Sequence, residues 1–120
     1  MDLAGKKILV TGAAGFIGSH LTERLADYDL ERLVAMDNLY LGSRVNLANA
    51  KAKRPDLTEY LSPEYSTSDF EALRNIFDRE KIDIVFDLAT IPLPASLQDP
   101  KWCFEEITSM AVNLCELCRL

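Results

Sequence analysis

The chain is short of the features that mark most secreted, membrane and nucleic-acid-binding proteins. Its longest nearly apolar stretch, Ile8 to Gly18, follows Lys6 and Lys7 much as a signal-peptide core would, but it carries Thr11 and three glycines. It also falls far short of the ~20 apolar residues of a membrane span, so no export or membrane segment is expected. Cysteine is scarce: Cys103, Cys115 and Cys118 are odd in number and crowded into the last eighteen residues, unlike the framework of a disulfide-stapled secreted domain. A reducing cytoplasm is the expected setting. Lys and Arg number 13 against 19 Asp and Glu, a formal net charge of -6, which argues against a nucleic-acid partner, because such binding needs clustered basic residues. No repeat, low-complexity tract or linker-like shift interrupts the 120 residues, so residues 1-120 read as one domain.

What is present is a soluble, core-forming composition, 48% hydrophobic and 27% charged, in which short apolar runs alternate with helical periodicity. Lys7 to Thr11 (KILVT) reads as a buried parallel strand ending in a turn at Gly12. Phe16, Ile17, Leu21 and Leu25 recur at helical spacing through about Asp27, and Leu33 to Met36 forms a second strand ending at Asp37. Asn38 to Gly42 reads as a loop, and Arg44 to Lys53 as a short helix stopped by Pro55. Leu57 to Ser66, interrupted by Pro63, is expected to hold a short or irregular third strand. Phe70, Leu73, Ile76 and Phe77 share a helical face, capped by Asp69 or by Ser68 with Glu71. Ile82 to Ala89 is the fourth strand, Pro92, Pro94 and Pro100 are expected to hold an open loop, and Phe104, Ile107, Ala111, Leu114 and Cys118 outline the seam of a last helix. Strands alternating with helices imply a parallel sheet with right-handed crossovers, here with strand order 3-2-1-4.

The segment that carries chemistry is Gly12-Ala-Ala-Gly15-Phe-Ile-Gly18, placed between the first strand and the first helix. Gly12 would permit the sharp turn, Gly15 the close approach of a pyrophosphate, and Gly18 tight packing of helix on strand. The helix N-terminus would offer the phosphates unpaired N–H groups and a positive dipole end. Asp37 follows Gly18 by nineteen residues, close to the ~20 expected of an acid that binds the adenosine ribose. A carboxylate there repels a 2'-phosphate, so NAD is expected over NADP, although Arg44 lies near enough in sequence to partner a phosphate. A P-loop is excluded because Ser19 and His20, not Lys and Ser or Thr, follow Gly18. The fold expected is therefore α/β, part of a Rossmann-type parallel sheet with helices on both faces.

Thr11-Gly-Ala-Ala-Gly-Phe-Ile-Gly-Ser-His-Leu21 with Val34-Ala-Met-Asp-Asn38 closely resembles the extended short-chain dehydrogenase/reductase family, in particular its nucleotide-sugar epimerases and dehydratases. The resemblance continues through Asp37-Asn-Leu-Tyr-Leu-Gly-Ser-Arg-Val-Asn-Leu47, Asp69-Phe-Glu-Ala-Leu73, Val85-Phe-Asp-Leu-Ala-Thr90, Ser96-x-x-x-Pro100 and Asn113-Leu. It implies tightly held NAD that oxidises and re-reduces a sugar carbon. Carried over by position, it assigns Gly12, Gly15, Phe16, Ile17 and Gly18 to the pyrophosphate and Asp37 and Asn38 to the adenosine ribose. Ser66 and Thr67 fall at the adenine, and Leu88, Ala89 and Thr90 at the nicotinamide side.

Four positions depart from the family pattern. Ser66 stands where the family usually places an acid near the adenine amine, with only the second acid kept as Asp69, so looser adenine recognition is expected. Asp87 and Thr90 replace a histidine and a small residue after the fourth strand, and Ile107 replaces an asparagine near the site. The family's Tyr-x-x-x-Lys pair is absent: Tyr28 and Tyr40 each have Arg four residues on, Tyr60 has Glu64 and Tyr65 has Asp69. No catalytic residue is therefore assigned, and the chain alone is expected to be inactive. Tyr40 and Arg44 read as contact or surface residues, and His20 as a helix-surface or packing residue. Cys115-Glu-Leu-Cys118 reads as helix packing, since a metal centre needs four ligands. Asp83 and Asp87 sit at opposite ends of a strand, ~13 Å apart, too far for an acid pair. The apolar seam of the last helix, around residues 101-120, is expected to face the core or a partner helix, the latter as a homodimer. Two functions stand: the NAD-binding portion of a nucleotide-sugar epimerase or dehydratase, or a free-standing dinucleotide-binding or protein-interaction module without catalysis.

Overall fold

The computed structural model describes residues 1–120. Four parallel strands, β1 (Lys7–Thr11), β2 (Arg32–Asp37), β3 (Thr58–Leu61) and β4 (Ile84–Asp87), form one sheet in the order β3-β2-β1-β4. The expected order is borne out, and β1 lies inside the sheet, in register with β2 from Lys7 opposite Arg32 to Thr11 opposite Met36. The helices are α1 (Phe16–Leu25), α2 (Ala48–Lys53, preceded by a 3-10 turn at Arg44–Leu47), α3 (Phe70–Glu80), α4 (Leu93–Gln98) and α5 (Pro100–Arg119).

Period-two alternation along β1 and β2 sorts the core into two layers. Ile8, Val10, Leu33 and Ala35 point to the side that holds Leu25 of α1, Leu47 of the 3-10 turn and Ala50 of α2. Leu9, Val34 and Met36 point to the other, against Leu73 and Ile76 of α3 and Leu114 and Leu117 of α5. Burial of each such side chain contributes roughly 1.5–3 kcal/mol before the entropy of ordering it is subtracted. Strands buried on both faces need no polar alternation, which is why β1 and β2 read as continuous apolar runs.

Some boundaries move from the sequence-based expectation. The fourth strand is half as long as expected, because only Ile84–Asp87 pair with β1. The segment with Pro92, Pro94 and Pro100 is not an open loop but contains α4, and Pro100 begins α5. Proline is tolerated in the first turn of a helix, where its missing N–H would have no intrahelical acceptor. Of the two caps open for α3, Asp69 is used: its Oδ1 accepts from the Ala72 N–H at 3.1 Å.

The seam assigned to the last helix is also corrected. The buried residues of α5 are Cys103, Met110, Leu114 and Leu117, whereas Phe104 is 71% and Ile107 39% exposed, and Ala111 and Cys118 face outward too. Two apolar stripes overlap on this helix, and spacing alone does not say which one meets the sheet.

Candidate functional site

At the carboxyl edge of the sheet, the loops after all four strands and the first half of α5 surround one cavity of about 870 Å³. Every candidate residue lines it: Gly12, Gly15, Phe16, Ile17 and Gly18 from the first loop, and Asp37 and Asn38 after β2. Ser66 and Thr67 contribute after β3, and Leu88, Ala89 and Thr90 after β4. The crevice outside the carboxyl ends of parallel strands is where ligands of such sheets bind.

The glycine loop is shaped by three different constraints. Gly12 has φ +64°, a left-handed conformation, and a Cβ on it would lie 2.7 Å from the Leu88 carbonyl, so the β4 loop crosses directly over it. At Gly18 a Cβ would overlap the Gly12 carbonyl oxygen, so helix and strand approach to backbone distance there. Gly15 is the least confined of the three, with only the Gly12 oxygen at 3.3 Å, and it is the N-cap of α1 without any side-chain cap. The first N–H groups of α1 thus have neither an intrahelical nor a side-chain acceptor, leaving a donor cluster at the positive end of the helix. Phe16 and Ile17, read from their spacing as part of a helical face, are instead 81% and 68% exposed beside this cluster.

Asp37 holds the loop in place. Its Oδ2 accepts from the Ala14 N–H at 2.9 Å and its Oδ1 from the Leu39 N–H at 2.8 Å. Leu39 has φ +62°, an uncommon conformation for a branched side chain that the Asp37 bond and an Asn38 Oδ1 bond to the Tyr40 N–H sustain. On the β4 side, Thr11 Oγ1 accepts from the N–H groups of Leu88 (3.2 Å) and Ala89 (3.3 Å) and donates to Asp87 Oδ1 (2.6 Å). A hydroxyl with all three bonding capacities filled fixes the β4 loop beside Gly12.

Several lining residues were missed by sequence reasoning. Gly42 packs on the glycine loop, where a Cβ would come within 2.9 Å of Ala14, and Asn46 Nδ2 donates to the Ala14 carbonyl at 2.8 Å. A glycine ending the Asn38–Gly42 loop was the available signal. Trp102, Glu106 and Met110 line the cavity from α5; their four-residue steps define a helix face, but only the fold says that it borders the cleft. The Trp102 ring lies 6.1 Å from that of Tyr40, which comes from the loop after β2. Arg44 does not reach the cavity and donates instead to the Leu61 carbonyl. His20 is an exposed helix residue, its Nδ1 2.8 Å from the Phe16 carbonyl oxygen and its ring 5.0 Å from the Phe16 ring.

No Lys, Arg or His lines the cavity, whereas Asp37, Asp87 and Glu106 do. An anionic ligand would therefore be met by backbone N–H groups rather than by basic side chains. Thr67 Oγ1 is buried without a hydrogen-bond partner among the chain's own groups. Cys118 on α5 has its thiol pushed up by burial, then by Cys115 and Asp87, which disfavours the reactive thiolate.

A glycine-turned loop opening a helix, a strand-end acid and a cleft of this size form a cradle that fits a dinucleotide. Over residues 8–120 the sequence matches the family described as the NAD dependent epimerase/dehydratase family. The chain belongs to that family. Within it, the chain is 40% identical over 89 residues to the dTDP-D-glucose 4,6-dehydratase of Dictyostelium discoideum, covering 73% of this chain and 20% of the relative. It is 34% identical over 110 residues to the UDP-glucose 4-epimerase of Lacticaseibacillus casei, covering 91% and 30%. The crystal structure of Thermus thermophilus UDP-glucose 4-epimerase in complex with NAD is similar with a TM-score of 0.76 and 29% identity, over 94% of this chain and 33% of that one. The chain thus spans about a fifth to a third of the length of these epimerase/dehydratase family members. No helix is long and apolar enough to cross a membrane.

Proposed function

We infer that this chain holds NAD across the carboxyl edge of its sheet, as the cofactor-binding portion of a nucleotide-sugar epimerase or dehydratase. The observation that carries the reading is that residues from four separate segments, chosen from sequence for one dinucleotide, line one cavity. In this reading Gly12, Gly15, Phe16, Ile17 and Gly18 bind the pyrophosphate, Asp37 and Asn38 the adenosine ribose, Ser66 and Thr67 the base, and Leu88, Ala89 and Thr90 the nicotinamide end. When bound, NAD supplies the acceptor for a hydride taken transiently from a sugar carbon. The chain's own part is to orient that cofactor and exclude 2'-phosphate through Asp37. Tyr-x-x-x-Lys is absent from these 120 residues, so binding without turnover is the activity proposed for the chain alone. Its proposed setting is the cytoplasm.

A second reading, an interaction module without catalysis, draws on the outward stripe of α5, where Phe104, Ile107 and Val112 are exposed. The same stripe would serve the first reading as a homodimer surface. Calorimetric titration of the purified chain with NAD and then NADP, with its solution mass recorded, tests both. Saturable binding of NAD, tighter than NADP, is expected; a folded chain that binds neither dinucleotide leaves the interaction module. A dimer that becomes a monomer in Phe104→Glu would place the homodimer on α5.

A further inference from the structure

The charged side chains of the cleft are all of one sign. Asp37, Asp87 and Glu106 belong to its lining, no Lys, Arg or His does, and none of the three carboxylates enters an ion pair. The uncapped N-terminus of α1 is therefore the cleft's own positive pole, and it lies at the glycine loop. Away from that loop, a bound molecule meets negative charge without a cation to offset it.

The sheet order separates the two ends of a dinucleotide. β1 lies between β2 and β4, so a molecule with its pyrophosphate on the loop after β1 and one ribose on Asp37 carries its other nucleoside toward β4. There the strand and its following loop give the lining Asp87, Leu88, Ala89, Thr90 and Ile91, and Asp87 is the single charged group among them. Its carboxylate is fixed at the seam of β1 and β4. Oδ1 accepts from Thr11 Oγ1 at 2.6 Å, and the same hydroxyl accepts from the N–H groups of Leu88 and Ala89. A Cβ on Gly12 would stand 2.7 Å from the Leu88 carbonyl, so the carboxylate is tied both to the pyrophosphate turn and to the wall assigned to the nicotinamide.

Reduction of a nicotinamide adds a hydride to the ring, and the two electrons and the proton it brings turn a positively charged pyridinium into a neutral dihydropyridine. The phosphates are unchanged, so the two forms differ by one charge, located at the ring. A fixed carboxylate near that ring attracts the oxidised form alone. We propose that Asp87 makes this cleft select the oxidised form of its dinucleotide, holding NAD more tightly than NADH by the charge of the ring. The inference rests on the cofactor reading above and adds the redox state of the occupant. Asp87 is exposed, so solvent screens the attraction, and a preference of about three- to fivefold is expected. By linkage, that factor lowers the potential of the bound two-electron couple by about 15–20 mV.

The test is calorimetric titration of the purified chain with NAD and with NADH at low salt, repeated on Asp87→Asn and Asp83→Asn. The amide at position 87 keeps an oxygen to accept from Thr11 and removes only the charge. Asp83 stands at the opposite end of the same strand, where its Oδ2 accepts from the Lys7 N–H at 2.9 Å, so Asp83→Asn makes the same change in net charge away from the cleft. The ratio of the Kd for NADH to the Kd for NAD is expected at about three to five in the wild type and in Asp83→Asn, and at about one in Asp87→Asn. Raising the salt to about 0.5 M should bring the wild-type ratio toward that of Asp87→Asn. A wild-type chain that binds NADH as tightly as NAD, or a ratio that Asp87→Asn leaves unchanged, overturns the proposal and leaves the cofactor reading standing. An equal fall in Asp83→Asn also overturns it, since the preference then belongs to net charge and not to Asp87. Failure of a folded chain to bind either form overturns both readings.

Discussion

Asp37 and Glu80 are buried to nearly the same degree, 8% and 5% exposed, but they are held by different kinds of partner. Glu80 is gripped by side chains: Tyr60 donates to its Oε1 and the half-exposed Arg32 to its Oε2, each at 2.7 Å. Burial pushes this carboxyl up, and the hydrogen bonds from Tyr60 and Arg32 outweigh it, so Glu80 sits below the ordinary carboxylate range. Burial, then the Glu80 bond, raises the Tyr60 phenol above its usual 10.0. Asp37 is gripped by backbone, through the N–H groups of Ala14 and Leu39. A knot of side chains can be replaced without redirecting the chain, whereas an acid bonded to two loops sets the walls of the cleft between them. The first reads as structural and the second as part of the site.

The contrast can be broken at several points. The largest loss is expected not at either acid but in the first turn of α1: Gly18→Ala forces a Cβ onto the Gly12 carbonyl and should destabilise the chain by about 3 kcal/mol, read from urea unfolding. Glu80→Ala strands the Tyr60 hydroxyl and should cost about 2 kcal/mol, discounted because Arg32 is half exposed, with dinucleotide affinity unchanged. Asp37→Ala should also lower stability, because it strands the Ala14 and Leu39 N–H groups, but unlike Glu80→Ala it should weaken NAD, about tenfold or roughly 1.4 kcal/mol, and narrow the gap to NADP. Unaltered NAD affinity in that variant would sink the ribose assignment. The smallest effect is one of pH. Because the folded Glu80 carboxyl titrates below its unfolded counterpart, its stabilisation is complete above the ordinary range of ~4.3 and is lost as the pH falls through the folded value. Between pH 7 and pH 3.5 the wild-type unfolding midpoint should therefore fall further than that of Glu80→Gln.

How far the molecule was legible in its sequence follows from the range of each signal. The two inner strands were legible because burial on both faces demands unbroken apolar runs, and Gly12 to Gly18 because a left-handed turn and a backbone-distance contact admit little else. Proline misled at α4, since the same residue that blocks a helix interior suits its first turn. The orientation of α5 was hidden, because Phe104 and Ile107 are as apolar as Met110 and Leu117 and only the packed sheet distinguishes the two stripes. Thr11 was read as the end of a strand; its hydroxyl joins Asp87, Leu88 and Ala89, 76 to 78 residues away, a partnership that no local pattern encodes. The Glu80 knot was hidden for the same reason, as Tyr60 and Arg32 meet it only across the folded sheet.

The placing of Trp102 gives the molecule an optical property. It is the only tryptophan in the chain, and it stands on the cavity wall beside Tyr40. Its emission therefore originates from one place and reports on one place. A nucleotide base that parts the two rings, or a reduced nicotinamide that absorbs where indole emits, would change that emission directly, so the cleft carries its own fluorophore.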